Sequence, residues 1–292
     1  MKKAVKLLLI AFLIITILGI LSCGNKSNGA SPDTIKIASF NIQIFGQTKA
    51  SKQEVMDILV QIIREFDIVA IQEIRDISGT AIIALKDEVN ADGRAYDVLV
   101  GPRVGRTSSK EQYAYMYDTR TIEALSNSYT YDDIGDLFER EPFAAQFRVK
   151  SGTFDFVLIN IHTKPGDATA EIELLVDVIA GVPSHIDEPD IICLGDFNAD
   201  GSYLDENRSK TIFPSDQYNW LIDNSNDTTV AASDNTYDRI VTTLSINEDF
   251  VGTVEVYRFD QVYDFSLSTL EPDDVSDHYP IWIEFYTDKD LD

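Results

Sequence analysis

The segment "TIKIASFNIQ" alternates apolar and polar residues and is rich in isoleucine, which predicts a strand from about Ile35 to Ile42. "SKQEVMDILVQIIREF" follows, with Val55, Ile58, Leu59, Ile62 and Ile63 at helical intervals. Ser51 stands three residues before Glu54, the spacing of a capping box. "DIVAIQE" is a continuous apolar run closing on Glu73, as expected of a strand buried on both faces. A second helix is predicted near Ser78–Val89, leading into "YDVLVG". The middle of the chain reads as β-type runs joined by turns: "QYAYMYD", "TIEALSNSYTY" and "FAAQFRVK". "TFDFVLINIH" is another buried strand, ending at His162, and a helix over Ala168–Ile179 returns the chain to "DIICLGDF". The last third is irregular until "YDRIVTT" and "DHYPIWIEFY". Strand–helix–strand patterning occurs twice, around residues 35–90 and 154–195. It predicts an α/β fold of two halves, whose sheets pack face to face under outer helices.

The first residues follow a different pattern. Lys2, Lys3 and Lys6 precede the apolar stretch Leu7–Leu21, at 15 residues too short for a comfortable span of about 20. With Ser22-Cys23-Gly24 behind it, this resembles a bacterial lipoprotein signal over residues 1–22, with Cys23 becoming the lipidated first residue. An ordinary secretory signal with a chance cysteine is the alternative. Residues 23–34 then form the lipidated cysteine and a flexible tether, and residues 35–288 a single domain, since nothing within them has the composition of a linker. Either reading puts the protein outside the cytoplasm, anchored to a membrane through Cys23 or secreted; a monomer is expected. Once Cys23 is modified, Cys193 is the only thiol left, which excludes an intramolecular disulfide; flanked by Ile and Leu, it reads as a small core residue.

Charge narrows the classes. The chain carries 24 Lys and Arg against 49 Asp and Glu, and loss of the three leader lysines leaves 21 against 49, a formal charge of −28. Taken alone, that balance argues against a duplex-binding protein, because phosphate contacts usually rest on basic patches, and favours solubility and cation binding. Any nucleic-acid chemistry must therefore come from a local site.

Polar residues fall at strand ends. Asn41 ends the first strand, Glu73 the second, His162 a later one, and Asp196 with Asn198 another; Asp238 opens "DRIV", and Asp277-His278 opens the last. Each has a bland explanation as a turn, a cap or a solvated end. Together, with two of the three histidines among them, they predict one site beyond the carboxyl ends of the strands. Glu73, Asp196, Asp277 and the amide oxygens of Asn41 and Asn198 are hard ligands suited to Mg²⁺, Mn²⁺ or Ca²⁺ rather than zinc. Two histidines with carboxylate partners are suited to moving protons near neutral pH. Metal and proton carriers together match phosphodiester hydrolysis.

The segments "IASFNIQIFGQTK", "DIVAIQEIRD", "GRTSSKEQY", "EREP", "DATAEI", "GDFNAD", "TYDRIV" and "SDHYP" resemble, in order, those of the secreted deoxyribonuclease I family, within the endonuclease/exonuclease/phosphatase superfamily. "GDFNAD" and "SDHYP" are shared across the superfamily; "QEIRD" with "GRTSSKEQY" and "EREP" points to the deoxyribonuclease branch. The resemblance implies a four-layer α-β-β-α sandwich of two mixed β-sheets, and a metal-dependent endonuclease cutting double-stranded DNA with little sequence preference. It implies Glu111 paired with His162 and Asp238 supporting His278 as the catalytic groups. Asn41, Glu73, Asp196, Asn198 and Asp277 match the metal and phosphate shell, binding Mg²⁺ or Mn²⁺. Arg75, Arg140, Ser109 and Tyr203 match positions that touch DNA, although Arg75 could instead form a surface pair with Asp76. Asp132, Asp133, Asp136 and Glu141 resemble a structural Ca²⁺ loop, and Asp227 with Thr229 part of a second, in which Ala231 replaces a ligating hydroxyl unless Asp234 substitutes.

Some positions depart from the family. Ser109 falls where vertebrate members place a tyrosine, Gln43 where a further arginine is expected, and Gly201 and Asn235 where they have a disulfide. These losses predict weak DNA affinity and a need for millimolar divalent cation. Two rivals remain: the same core acting on sphingomyelin or an inositol phosphate, and a surface binding protein on a decayed nuclease fold. Arg75, Arg140 and "SKEQY" favour a polynucleotide over the first, and the full set of carboxylates and histidines disfavours the second. His185 is expected to be an exposed loop residue with no role.

Overall fold

The computed structural model describes residues 33–291 apart from Ser268; the leader, Cys23 and most of the tether lie outside the described residues. The strands are β1 (Thr34–Phe45), β2 (Ile68–Ile74), β3 (Tyr96–Val100), β4 (Gln112–Asp118), β5 (Ile122–Ala124), β6 (Tyr129–Thr130) and β7 (Phe143–Val149). They continue as β8 (Asp155–His162), β9 (Ile191–Asp196), β10 (Tyr218–Trp220), β11 (Asp238–Thr243), β12 (Phe250–Val256) and β13 (Ile281–Tyr286). One sheet has the order β12-β13-β1-β2-β4-β3 and the other β10-β11-β9-β8-β7-β5, with β6 on β7. Each sheet has one parallel pair, β1 with β2 and β8 with β9, among antiparallel neighbours.

A parallel pair needs a crossover, and helices supply both. After the short α1 (Gln47–Ala50), α2 (Gln53–Ile63) leads into β2; α3 (Thr80–Val89) follows it, and α4 (Ala168–Gly181) joins β8 to β9. The inner faces of the two sheets meet through Ile37, Ala70 and Tyr115 from one and Phe147, Leu158 and Leu194 from the other. On the outer face of the first sheet, Phe40, Val69 and Ile71 pack with Val55, Leu59 and Leu85 of α2 and α3. On that of the second, Ile159 and Cys193 pack with Ile172 and Leu175 of α4. The layers run helix, sheet, sheet, helix, as the strand–helix–strand pattern predicts, and Cys193 is a buried core thiol.

Local details differ from the pattern. No capping box forms at Ser51: Lys52 occupies the N-cap of α2, and the Ser51 hydroxyl donates to the Thr48 carbonyl, closing α1 instead. Strand β12, unread in the sequence, is half-buried and interrupted by Gly252 at φ +96, which breaks its alternation. His185 is exposed and stacks on Tyr129 at 4.2 Å between ring centroids.

Candidate active site

Register brings the strand ends together. In the second sheet His162 pairs with Asp196 across β8 and β9, and Asp196 pairs with Asp238 across β9 and β11, setting three polar residues side by side. Gly195 allows this closeness. At φ +151, its α-carbon lies so near β8 that an added Cβ would meet the Ile161 carbonyl oxygen at 1.9 Å. In the first sheet Asn41 pairs with Gln72, one residue before Glu73. The Asn41 side chain then crosses between sheets: its Nδ2 donates to Glu73 Oε1 at 3.2 Å and Asp196 Oδ2 at 3.1 Å. Its Oδ1 accepts the Gln43 amide, so Asn41 turns its N–H groups, rather than its oxygen, toward the carboxylates and spaces them.

The backbone around these groups is strained. Four of the five described non-glycine residues at positive φ are Gln43, Ile44, Glu73 and Asn198. Such conformations each cost about 1–3 kcal/mol and persist where the surroundings enforce them. Here β1 shifts register between Asn41 and Phe45, the Ile44 amide donates to Glu73 Oε2 at 2.8 Å, and Lys49 of α1 donates to the carbonyls of Ile42 and Gln43 at 2.9 Å each. Burial lowers the Lys49 pKa to about 8 against the opposing pull of Asp277 and Glu73.

Two imidazole–carboxylate pairs complete the cluster. His162 Nδ1 lies 2.9 Å from Glu111 Oε2, and His278 Nδ1 lies 2.8 Å from Asp238 Oδ2. The opposite nitrogens converge: His162 Nε2 is 3.3 Å and His278 Nε2 3.5 Å from the same oxygen, Asp196 Oδ2. Glu111 is fully buried, which by itself would raise its pKa; the His162 imidazole, Arg140 and Arg75 outweigh burial and hold it down to about 2. Burial likewise opposes ionisation of Asp196, and the two imidazoles, the Asn198 amide and Asn41 keep its pKa low. Burial and Arg140 work to lower His162, but Asp196 and Glu111 carry its pKa upward; Asp238 and Asp196 raise that of His278 strongly.

Neighbouring residues fix these groups. Arg75 Nη2 donates to Glu111 Oε1 at 2.9 Å, not to Asp76, which instead accepts the amides of Ser78 and Ala81 at the start of α3. Arg140 is buried, donates to the carbonyls of His162 and Thr163, and lies 3.5 Å from Glu111 Oε1. Asn198 donates to the Thr163 carbonyl and its amide to Asp196 Oδ1. Sequence reasoning passed over three anchors. Tyr113 accepts the His162 amide, Ser276 links the Asn41 carbonyl to the His278 amide, and Glu171 of α4 accepts the amides of both Glu139 and Lys164. All three lie in segments that carry the resemblance, Tyr113 in "GRTSSKEQY", Glu171 in "DATAEI" and Ser276 in "SDHYP", but residue type alone gave none of them a role.

Other expected site residues lie around this centre. Asp277 is exposed beside His278. Ser109 lines a cavity of about 340 Å³ with Arg75, Arg140 and His162. The Tyr203 ring is 5.9 Å from that of Tyr237, itself 6.3 Å from His278. In the 131–141 loop, Asp133 accepts the Phe138 amide, Asp136 sits exposed at φ +48, and Glu141 Oε2 is enclosed without a hydrogen-bond donor. Asp227 accepts the amide and hydroxyl of Thr229 and lies 3.6 Å from Arg258. Carboxylate and imidazole atoms close enough to share one ion occur at Glu73–Glu111–His162, at Asp196–Asp238–His278 and, remote from both, at Asp190–Asp249–Asp290.

Hard oxygens dominate the central set, with the Asn41 amide holding two carboxylates near one another, and this fits a divalent cation. Comparison with known proteins agrees with this chemistry. Residues 38–278 match the model of the endonuclease/exonuclease/phosphatase family. Human deoxyribonuclease-1-like 1 is 38% identical over 264 residues, covering 88% of this chain and 86% of that protein. Bovine deoxyribonuclease-1 is 36% identical over 257 residues, covering 85% and 91%. Among solved structures, an endonuclease/exonuclease/phosphatase from Bacteroides vulgatus aligns with a TM-score of 0.60 at 17% identity, covering 87% of this chain and 98% of its own, a likeness of fold alone. The chain belongs to the endonuclease/exonuclease/phosphatase family and, within it, to the deoxyribonuclease-1 group.

Proposed function

We propose that this protein is a divalent-metal-dependent endonuclease that hydrolyses DNA phosphodiester bonds with little sequence preference. One observation carries the reading: two oriented imidazoles converge on a single oxygen of Asp196. Glu73 and Asp196 would hold the cation, Mg²⁺ or Mn²⁺, with Asn198 and Asp277 completing the shell and Asn41 spacing the carboxylates. When bound, the cation neutralises charge on the phosphoryl oxygens. Glu111 fixes His162 through Nδ1 and Asp238 fixes His278 likewise, which leaves both Nε2 atoms facing the scissile position. One imidazole takes the proton of the attacking water and the other returns a proton to the leaving oxygen. Arg75, Arg140, Ser109 and Tyr203 contact the nucleic acid, and an arginine in the minor groove reads width rather than base identity.

Ca²⁺ supports the 131–141 loop through Asp133, Asp136 and Glu141, a reading favoured by the enclosed and unbonded Glu141 oxygen. A weaker site at Asp227 and Thr229 is opposed by the bonds those residues make to each other. The protein works outside the cytoplasm after removal of residues 1–22, with lipid on Cys23, a tether to residue 34 and a domain over 35–288; the leader pattern is the support. A monomer suffices, since one chain supplies every site residue.

The test is plasmid nicking with Mg²⁺, Mn²⁺ or Ca²⁺, comparing wild type with His278→Ala, alongside sphingomyelin and an inositol phosphate. The expected result is nicking by wild type alone, lost under chelation and restored by Mg²⁺ or Mn²⁺. Release of phosphocholine without nicking, or equal nicking by both proteins, overturns the reading.

A further inference from the structure

The cavity beside His162 has a third cation on its wall besides Arg75 and Arg140: Lys164. The three differ in what they are free to do. Arg75 and Arg140 are committed to Glu111, and Arg140 is buried with two backbone carbonyls to serve as well. Lys164 has an exchangeable head on a fixed stem. Its backbone amide donates to the fully buried Glu171 carboxylate at 3.0 Å, and the same carboxylate accepts the Glu139 amide from the opposite wall at 2.8 Å. One buried acid thus staples together two of the segments that line the cavity, those at Glu139 and Lys164. The Lys164 ammonium itself is half-exposed and pairs at 2.7 Å with the equally exposed Asp167, three residues on. A surface pair of that kind is worth little, about 0–1 kcal/mol, and is readily exchanged. A backbone phosphodiester carries one negative charge, as a carboxylate does, and accepts hydrogen bonds from the lysine ammonium, so it can take the place of Asp167 in such a pair.

We propose that Lys164 is a DNA-binding residue: a backbone phosphate next to the scissile one enters the cavity beside His162 and takes the ammonium from Asp167. In a chain with a formal charge of −25, a cation so close to the reaction centre offsets repulsion where it matters. Asp167 then competes with the substrate for Lys164. The proposal rests on the DNA reading above.

The competition separates substrate contact from a structural role. Lys164→Ala and Asp167→Asn break the same ion pair, so a purely structural pair predicts parallel effects; Asp167 also lies 3.9 Å from Arg106, and Arg106→Ala in the Asp167→Asn background removes the share of that contact. A phosphate contact predicts opposite ones. In nicking assays of the full protein across NaCl concentrations, Lys164→Ala is expected to raise KM for a DNA duplex about 3–10-fold and to lower the slope of log affinity against log salt by about one, with the loss falling on KM rather than kcat. Asp167→Asn is expected to lower KM, and Lys164→Arg to restore the salt slope. Lys150→Ala, on the remote side chain that binds the Thr119 carbonyl, serves as the control. Parallel shifts in the Lys164→Ala and Asp167→Asn proteins, or no shift in either, overturn the assignment. Failure of wild type to nick DNA at all overturns the functional reading instead.

Discussion

The two ends of the sandwich treat the same side chain in opposite ways. At the carboxyl ends of the central strands, Glu111 and Asp196 are buried against imidazoles and, for Glu111, two arginines, and their pKa values are held low. At the far end, where β8 and β9 begin, the acids meet other acids. Glu188 lies hydrogen-bonded to Asp155, its pKa pushed up to about 9 by burial, while Asp190, Asp249 and Asp290 bring carboxylate oxygens within 4.8 Å of one another. Burial acts in the same direction at both ends. What differs is the partner: at Glu111 and Asp196 imidazoles and arginines outweigh burial, at Asp238 burial prevails over His278 and the carboxyl rises, and at Glu188 a second carboxylate adds to burial. Residue type alone does not make a site.

The largest expected effect comes from neutralising one acid at each end. Glu111→Gln removes the negative partner of His162, and kcat for plasmid nicking should fall about 10²–10⁴-fold. Glu188→Gln should leave nicking within about two-fold, as for a substitution remote from the chemistry. Comparable losses in both would erase the distinction between the ends.

Thermal unfolding against pH sharpens it. Glu188 keeps its proton in the folded protein up to about 9, whereas its ordinary value is 4.5. Its contribution is complete below that ordinary value and fades as pH rises toward 9. Glu111 is the mirror case, with stability present above 4.5 and lost as pH falls toward about 2. Glu188→Gln should therefore flatten the alkaline side of the Tm profile and Glu111→Gln the acid side. Profiles parallel to wild type would contradict the assigned protonation states.

The smallest effect concerns strain. Ile44 is β-branched, exposed and held at φ +48 beside Glu73. Ile44→Gly should stabilise the fold by about 1 kcal/mol, the relief of strain less the added entropy of glycine in the unfolded chain. Urea unfolding would read it, and a destabilised variant would mean the conformation costs nothing. No residue at the far end is expected to respond this way.

Much of this architecture was legible because central strands are buried on both faces and announce themselves as apolar runs. Asp196, His162 and Glu73 stood out as a set: each alone has a local explanation as a turn, a cap or a solvated end, but their recurrence at the ends of such runs does not. Glu111 did not stand out. It lies just ahead of β4, in an isolated bridge to Val104, and only resemblance assigned it. Lys49, Tyr113 and Glu171 act on backbone groups 6 to 49 residues away, which no local periodicity encodes. Ser51 misled for a related reason, since its motif fits a cap but α1 claims its hydroxyl. Asn41 was found by position, yet which end of its amide faces the carboxylates depended on the bulge that follows it.

The missing side chain at Gly195 has a consequence for how this protein can change. His162 and Asp196 sit on adjacent strands whose spacing is set by backbone touching backbone, so even alanine there would wedge the two apart. In a library of random variants, the rim that meets substrate should diversify freely, while position 195 should return nothing but the wild-type residue.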